Sequence, residues 1–161
     1  MKHFDAIIIG TGQAGPSLAA RFAGAGKTVA IIERHKFGGT CVNTGCIPTK
    51  TMVASAYAVH VARRGVEYGF AANSDVRVDM KRVKARKDEV SGRSNRGVED
   101  WLRGLKNCTV LEGHARFQSP TTVALTMKFL RPTKSSSTLA GAPRFRRCLG
   151  SMMFHFSRTL R

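Results

Sequence analysis

Apolar and polar positions alternate in two different rhythms along the first half of the chain. Phe4 to Ile9 is an apolar run broken only at Asp5 and ending at Gly10, which predicts a buried strand. Gln13 to Ala25 sets Ala14, Leu18, Ala19, Phe22 and Ala23 at helical spacing, with Gly24 and Gly26 as stop signals. Thr28 to Glu33 reads as a second strand. Strand, helix and strand at this spacing make a βαβ unit, whose right-handed crossover requires a parallel sheet. Thr49 to Arg64 reads as a helix, with Pro48 fixing the backbone near its start. Val76 to Leu105 is a long helical region with a break expected near Ser91 and Gly92. Cys108 to Phe117 and Thr121 to Leu125 read as two strands joined through Gln118, Ser119 and Pro120. The fold class expected is therefore α/β, with a parallel sheet.

Candidate chemistry begins where the first strand meets the first helix. The segment Gly10-Thr11-Gly12-Gln13-Ala14-Gly15 has the spacing of a dinucleotide-binding loop. Gly10 permits the tight turn, Gly12 lets backbone approach a pyrophosphate, and Gly15 allows close helix–strand packing. The helix start, at Gln13 and Ala14, offers free N–H groups and a partial positive charge to phosphate. Glu33 ends the second strand, where an acid accepts hydrogen bonds from a ribose hydroxyl and repels a 2′-phosphate. The ligand expected here is FAD or NAD rather than NADP. A glycine turn beside a surface glutamate is the plainer alternative.

Residues 38–50 read Gly-Gly-Thr-Cys-Val-Asn-Thr-Gly-Cys-Ile-Pro-Thr-Lys. Cys41 and Cys46 stand in a glycine-rich stretch with Lys50 close behind. The pair is open to three readings: a redox disulfide, part of a zinc site, or two unpaired structural thiols. Zinc would need two further ligands at sensible spacing, which the sequence does not offer, so no metal is expected. Cys108, in a strand pattern, reads as a buried apolar thiol, and Cys148, His35 and His60 have no partner by spacing.

These motifs together resemble the flavin-dependent pyridine nucleotide–disulfide oxidoreductases, the group of glutathione reductase, dihydrolipoyl dehydrogenase and mercuric reductase. The likeness runs from about Phe4 to about Leu125. The wording of residues 38–70 is most similar to mercuric-reductase-like members. The resemblance implies a Rossmann-like FAD/NAD(P)-binding domain and selects FAD for the first site, with NAD(P)H as electron donor. It implies that Cys41 and Cys46 form a redox-active disulfide, with Cys46 facing the flavin and Cys41 exchanging with substrate. It places Gly10, Gly12, Gln13, Ala14, Gly15, Glu33, Arg34, Gly39 and Thr40 against FAD. Lys50 would lie near the flavin's reactive nitrogen, and His114 and Ala115 by the adenine. Family members are longer homodimers with a nicotinamide domain and an interface domain, so an incomplete flavin domain, inactive as it stands, is expected here. A stand-alone flavin-binding or redox-sensing module is the alternative.

Composition alters this picture only at the end of the chain. Net charge is +17, and residues 127–161 carry eight Lys/Arg and no acid, while 1–126 carry 19 basic and 10 acidic residues. Such a balance points towards anionic partners. Yet no zinc finger or aromatic-interleaved basic motif is present, so nucleic acid is not expected. No stretch reaches the ~20 apolar residues of a membrane span. Met1 to Asp5 runs directly into a strand, leaving no room for a leader, so a cytoplasmic, reducing location is expected.

After Leu125 periodicity vanishes, and a basic low-complexity linker is one reading. Another needs only the genetic code. Synonymous codons for Arg131 to Gly141, read from the third base of the first, permit Ala-Asp-Lys-Ile-Phe-Ile-Asn-Thr-Gly-Gly, which is similar to the family's return strand. Methionine's single codon forces Glu from Met127–Lys128, Asp from Met152–Met153 and Val from Met153–Phe154, all in keeping. Two parts are thus expected: a flavin-domain portion over 1–126, and an irregular, out-of-frame tail over 127–161.

Overall fold

The structure is a computed structural model and describes residues 2–71, 75–127 and 159–160. Its sheet runs in the order β1 (Ala6–Ile9), β2 (Val29–Glu33), β3 (Cys108–Ser119), β4 (Thr122–Met127) and β5 (Thr159–Leu160). β1, β2 and β3 are parallel, with Ile8 opposite Ile31 and Ile31 opposite Val110. β3 turns back at Pro120 and Thr121 into antiparallel β4, and β5 lies parallel to β4. The helices are α1 (Gly15–Gly24), α2 (Gly39–Asn43), α3 (Cys46–Arg63) and α4 (Met80–Arg103), with a 3₁₀ turn at Gly65–Tyr68. The α/β architecture with its βαβ unit and mostly parallel sheet is as expected.

Side chains alternate across a strand, so the apolar runs of β1 and β2 face two ways. On one face Ile8, Val29 and Ile31 pack with Ala19 and Ala23 of α1, Phe37, and Leu102 of α4. On the other, Ile7, Ala30 and Ile32 pack with Phe4 and with Val123 of the β3–β4 hairpin. Leu102 and Val123 are fully buried, and each such side chain stabilises the fold by about 1.5–3 kcal/mol. An unbroken apolar strand is thus explained by layers on both sides.

Several boundaries differ from the sequence reading. α3 begins at Cys46, ahead of Pro48 rather than after it. The first four N–H groups of a helix have no partner within it, so a proline in the first turn sacrifices nothing. α4 runs unbroken through Ser91 and Gly92. Asp79 caps it by accepting from Lys81 N and Arg82 N at 2.9 and 3.1 Å. Pairs one turn apart, Lys84–Asp88, Glu89–Arg93 and Glu99–Arg103, line its exposed side, and pairs at this spacing support a helix that glycine weakens. The short helix α2 has no periodic signal in so glycine-rich a segment. Of the tail, only Thr159–Leu160 is described; these residues pair with Thr122 and Val123, at the opposite end of the sheet from β1. The expectations for 128–158 lie outside the described residues.

Candidate functional site

The glycine loop leaves the C-terminal end of β1 and returns as α1. Gly10 takes φ +98°, a left-handed conformation that strongly favours glycine at this turn. A Cβ at Gly15 would stand 2.3 Å from the Gly10 carbonyl oxygen, so α1 packs on the strand end as closely as backbone allows. A Cβ at Gly12 would meet nothing within 4 Å. Open space over Gly12 beside a helix start that no side chain caps is what a phosphate group needs.

Thr11, which the sequence reading passed over, organises this loop. It is fully buried. Its hydroxyl donates to Glu33 Oε2 at 2.6 Å, its N–H donates to the same oxygen at 2.9 Å, and His35 N–H donates to Glu33 Oε1 at 2.9 Å. Gly38 N–H in turn donates to Thr11 O at 3.1 Å and lies 3.2 Å from Thr11 Oγ1. The acid of the second strand, the glycine loop and the segment leading to Cys41 are thereby tied to one residue. Gly39 completes the approach: a Cβ there would lie 2.9 Å from Gly12 Cα.

Beside Glu33 lies a cleft of about 190 Å³ lined by Ile9, Gly10, Ile32, Glu33, Arg34, Gly113, His114 and Ala115. Five expected cofactor residues from three distant segments meet here: Gly10, Glu33, Arg34, His114 and Ala115. Gly113, in β3, lets the β4 backbone approach closely: a Cβ there would lie 2.6 Å from Thr126 O. Arg116 Nε donates to His114 Nδ1 at 3.2 Å. Gln13 and Ala14 sit exposed at the start of α1 and Thr40 is exposed on α2. The glycine loop with its open space, and the cleft with its acid at the strand end, fit a dinucleotide such as FAD.

The cysteines stand on two adjoining helices, Cys41 in α2 and Cys46 at the start of α3. Both are free thiols. The neighbouring Cys46 side chain first, and desolvation second, hold the Cys41 thiol above its ordinary range, while the Lys50 charge pulls the other way. Lys50 lies one helical turn beyond Cys46, on the same face of α3. The backbone at Gly45 folds against the first helix, where a Cβ would come within 3.0 Å of Thr40 O and 3.4 Å of Cys41 Cα. Asn43 Nδ2 donates to Phe37 O and Gly39 O, both at 2.8 Å. Asn95 of α4 donates to Phe37 O at 2.6 Å and to Asn43 Oδ1 at 3.1 Å. The sequence carried no signal for these asparagines, because Asn95 reaches the site only through the packing of α4 on α2.

Among the described residues no cluster of three or more His, Cys, Asp or Glu is placed to hold a metal ion. No described helix is long and apolar enough to cross a membrane.

Comparison with known proteins agrees with this geometry. The family model "Pyridine nucleotide-disulphide oxidoreductase" matches residues 4–128. A dihydrolipoyl dehydrogenase of Thermus scotoductus is 40% identical over 120 residues, covering 74% of this chain and 25% of the relative. A glutathione reductase of Schizosaccharomyces pombe is 37% identical over 127 residues, covering 78% of this chain and 27% of the relative. The solved Cu(II) complex of the HOCl-induced flavoprotein disulfide reductase RclA from Escherichia coli superposes with a TM-score of 0.62 at 34% identity. It covers 80% of this chain and 25% of that one. The chain thus spans about a quarter of the length of these relatives. Their names do not support the mercuric-reductase likeness expected from residues 38–70.

Proposed function

The chain belongs to the pyridine nucleotide–disulphide oxidoreductase family, and on that footing we propose that it forms the FAD-binding, dithiol-bearing part of a flavoprotein disulfide oxidoreductase. The family works with FAD and NAD(P)H. The carrying observation is that Gly10, Glu33, Arg34, His114 and Ala115 line one cleft, joined through Thr11 and Gly38 to the segment bearing Cys41.

In this reading the loop Gly10–Gly15 receives the pyrophosphate, with Gly12, Gln13 and Ala14 supplying backbone donors. Glu33 accepts from a ribose hydroxyl while Thr11 and His35 hold it in place. Arg34, His114 and Ala115 wall the adenine end, and Gly39 and Thr40 border the phosphates. When bound, FAD supplies two-electron transfer between the nicotinamide donor and the cysteine pair. Cys41, as thiolate, attacks one sulfur of a substrate disulfide and releases the other as a thiolate. Cys46 then attacks the Cys41 sulfur, expels the second substrate thiol and closes the Cys41–Cys46 disulfide. Two electrons pass from the cysteines to the substrate. Lys50 favours the thiolate form of Cys41.

The substrate proposed is a small-molecule disulfide. Relatives named for lipoyl and glutathione substrates favour that class over mercuric ion. Homodimerisation and a reducing cytoplasmic setting belong to the same proposal, as does the division of the chain at 126 with a frame-displaced tail.

The test is FAD binding by the chain, followed by flavin fluorescence, in parent and Glu33→Ala. Loss of the charge-assisted bond should weaken binding by about 1.5–3 kcal/mol, roughly ten- to a hundredfold. Equal FAD affinity in both proteins overturns the ribose role, and no binding by the parent overturns the flavin reading for this chain.

A further inference from the structure

We propose that Asn95, acting through Asn43, is a positioning residue for the Cys41–Cys46 couple, and that α4 serves as a splint across the two cysteine-bearing helices; this rests on the redox reading of that pair.

α2 spans only Gly39–Asn43, too short a helix to hold its own shape in water. Its geometry is imposed from outside. At the front, Gly38 is anchored to Thr11. At the back, Asn43 folds its amide over the Phe37 and Gly39 carbonyls. That orientation has a cause: Asn95 donates to Asn43 Oδ1, so the other end of the Asn43 amide must face the carbonyls. Asn95 also donates directly to Phe37 O. The same helix grips α3 five and nine residues beyond Cys46, where Arg86 Nη1 donates to Thr51 O at 3.0 Å and lies 3.2 Å from Ser55 Oγ. α4 is itself fixed to the sheet, with Leu102 buried and Val98 packed in the same core cluster. One long helix therefore fixes the helix of Cys41 and the helix of Cys46 relative to each other.

This arrangement bears on the redox equilibrium and not on stability alone. The clamp is present with both thiols free, and the backbone at Gly45, next to Cys46, already packs against Thr40 and Cys41, so the two cysteine segments are held together before any bond forms. A disulfide staples α2 to α3 whether or not the clamp exists. Without the clamp, only the dithiol state gains freedom, and that freedom is lost again when the bond forms. Loosening the clamp should therefore disfavour the disulfide.

The experiment equilibrates the full chain in glutathione buffers and traps thiols by alkylation for mass spectrometry. In the reaction followed, Cys41 and Cys46 lose two electrons and two protons as their Sγ–Sγ bond forms. One glutathione disulfide bond breaks, giving two glutathione thiols. Asn95→Asp keeps the shape but removes the N–H donors. It should lower the equilibrium constant for disulfide formation about three- to tenfold; tenfold equals about 30 mV of midpoint potential. Asn95→Ala carries the same expectation if the Asp variant does not fold. Asn43→Ala combined with Asn95→Ala should shift the constant by less than the two single changes together, because the Asn95–Asn43 bond is lost in each, whereas the direct Asn95–Phe37 bond is lost only with Asn95. Val123→Ala, a destabilising change in the β3–β4 hairpin on the far side of the sheet from α4, should leave the constant within twofold of the parent. Parent-like constants in the Asn95 variants, or an equal shift in Val123→Ala, would overturn the positioning role. A parent chain that forms no Cys41–Cys46 disulfide in any buffer would instead overturn the redox reading on which it rests.

Discussion

Replacing Thr11 by Val tests whether one hydroxyl joins the glycine loop to the acid of β2. The side chains are near in volume, and Thr11 is fully buried, so the change removes a polar atom without opening a cavity. What is lost is the 2.6 Å bond from Thr11 Oγ1 to Glu33 Oε2, together with the longer 3.2 Å contact of Gly38 N–H with Thr11 Oγ1. Two interactions survive: the Thr11 N–H to the same oxygen, and Gly38 N–H to the Thr11 carbonyl. A hydrogen bond to a charged group contributes about 1.5–3 kcal/mol. Glu33 is only half-buried and keeps its other donors, so the lower part of that range is expected. For a chain of this length each kcal/mol moves the melting temperature by about 2–4 °C, giving roughly 3–8 °C. Urea unfolding followed by far-UV circular dichroism should show a lower midpoint with an unchanged slope. Thr11→Ser keeps the hydroxyl and loses one methyl, so it should recover most of the loss. A Val variant within about 0.5 kcal/mol of the parent, or a Ser variant as unstable as Val, would refute the assignment of the hydroxyl as the tie.

Three further outcomes follow from the geometry. Gly15→Ala drives a methyl to 2.3 Å from the Gly10 carbonyl oxygen; because that neighbour is backbone, the change should cost about 1–3 kcal/mol and weaken FAD binding, read by melting and flavin titration. Lys50→Met removes the charge that lowers the Cys41 pKa. The thiol should then need a more alkaline solution to ionise, and the pH profile of Cys41 alkylation should move up; an unmoved profile would show that Lys50 does not act on the pair. Sequencing the gene through codons 120–165 should reveal an open alternative frame encoding the family-like return strand. Inserting or deleting bases near codon 126 should then yield a longer flavin-binding product, whereas early stops in that frame would remove the frame argument.

How much of this was legible in the residues depended on the range of the interactions. The βαβ unit was readable because the apolar runs at Phe4–Ile9 and Thr28–Glu33 and the glycines between them act locally: a turn at φ +98° needs Gly10 whatever the rest of the chain does. The cysteine pair and the acid at residue 33 were readable because their spacing is part of a local pattern. The start of α3 was misplaced because Pro48 reads as a helix start, although any first-turn position tolerates it. The break expected at Gly92 did not occur, since core packing at Val98 and Leu102 outweighs the propensity of one glycine.

Distance along the chain marks the limit. His114 and Ala115 reach the cleft beside Glu33 only because β3 pairs in parallel with β2, which sets Glu112 opposite Glu33. Thr11 is an unremarked position between two glycines until Glu33, 22 residues later, is placed against it. Asn95 lies 52 residues from Asn43 and carries no motif. The sequence by itself determined which chemistry the chain could carry, because phosphate loops and thiol pairs are built from neighbouring residues. Only the tertiary structure decided what holds that chemistry in place, because the holding groups come from helices and strands whose packing, not their spacing, brings them within hydrogen-bond reach.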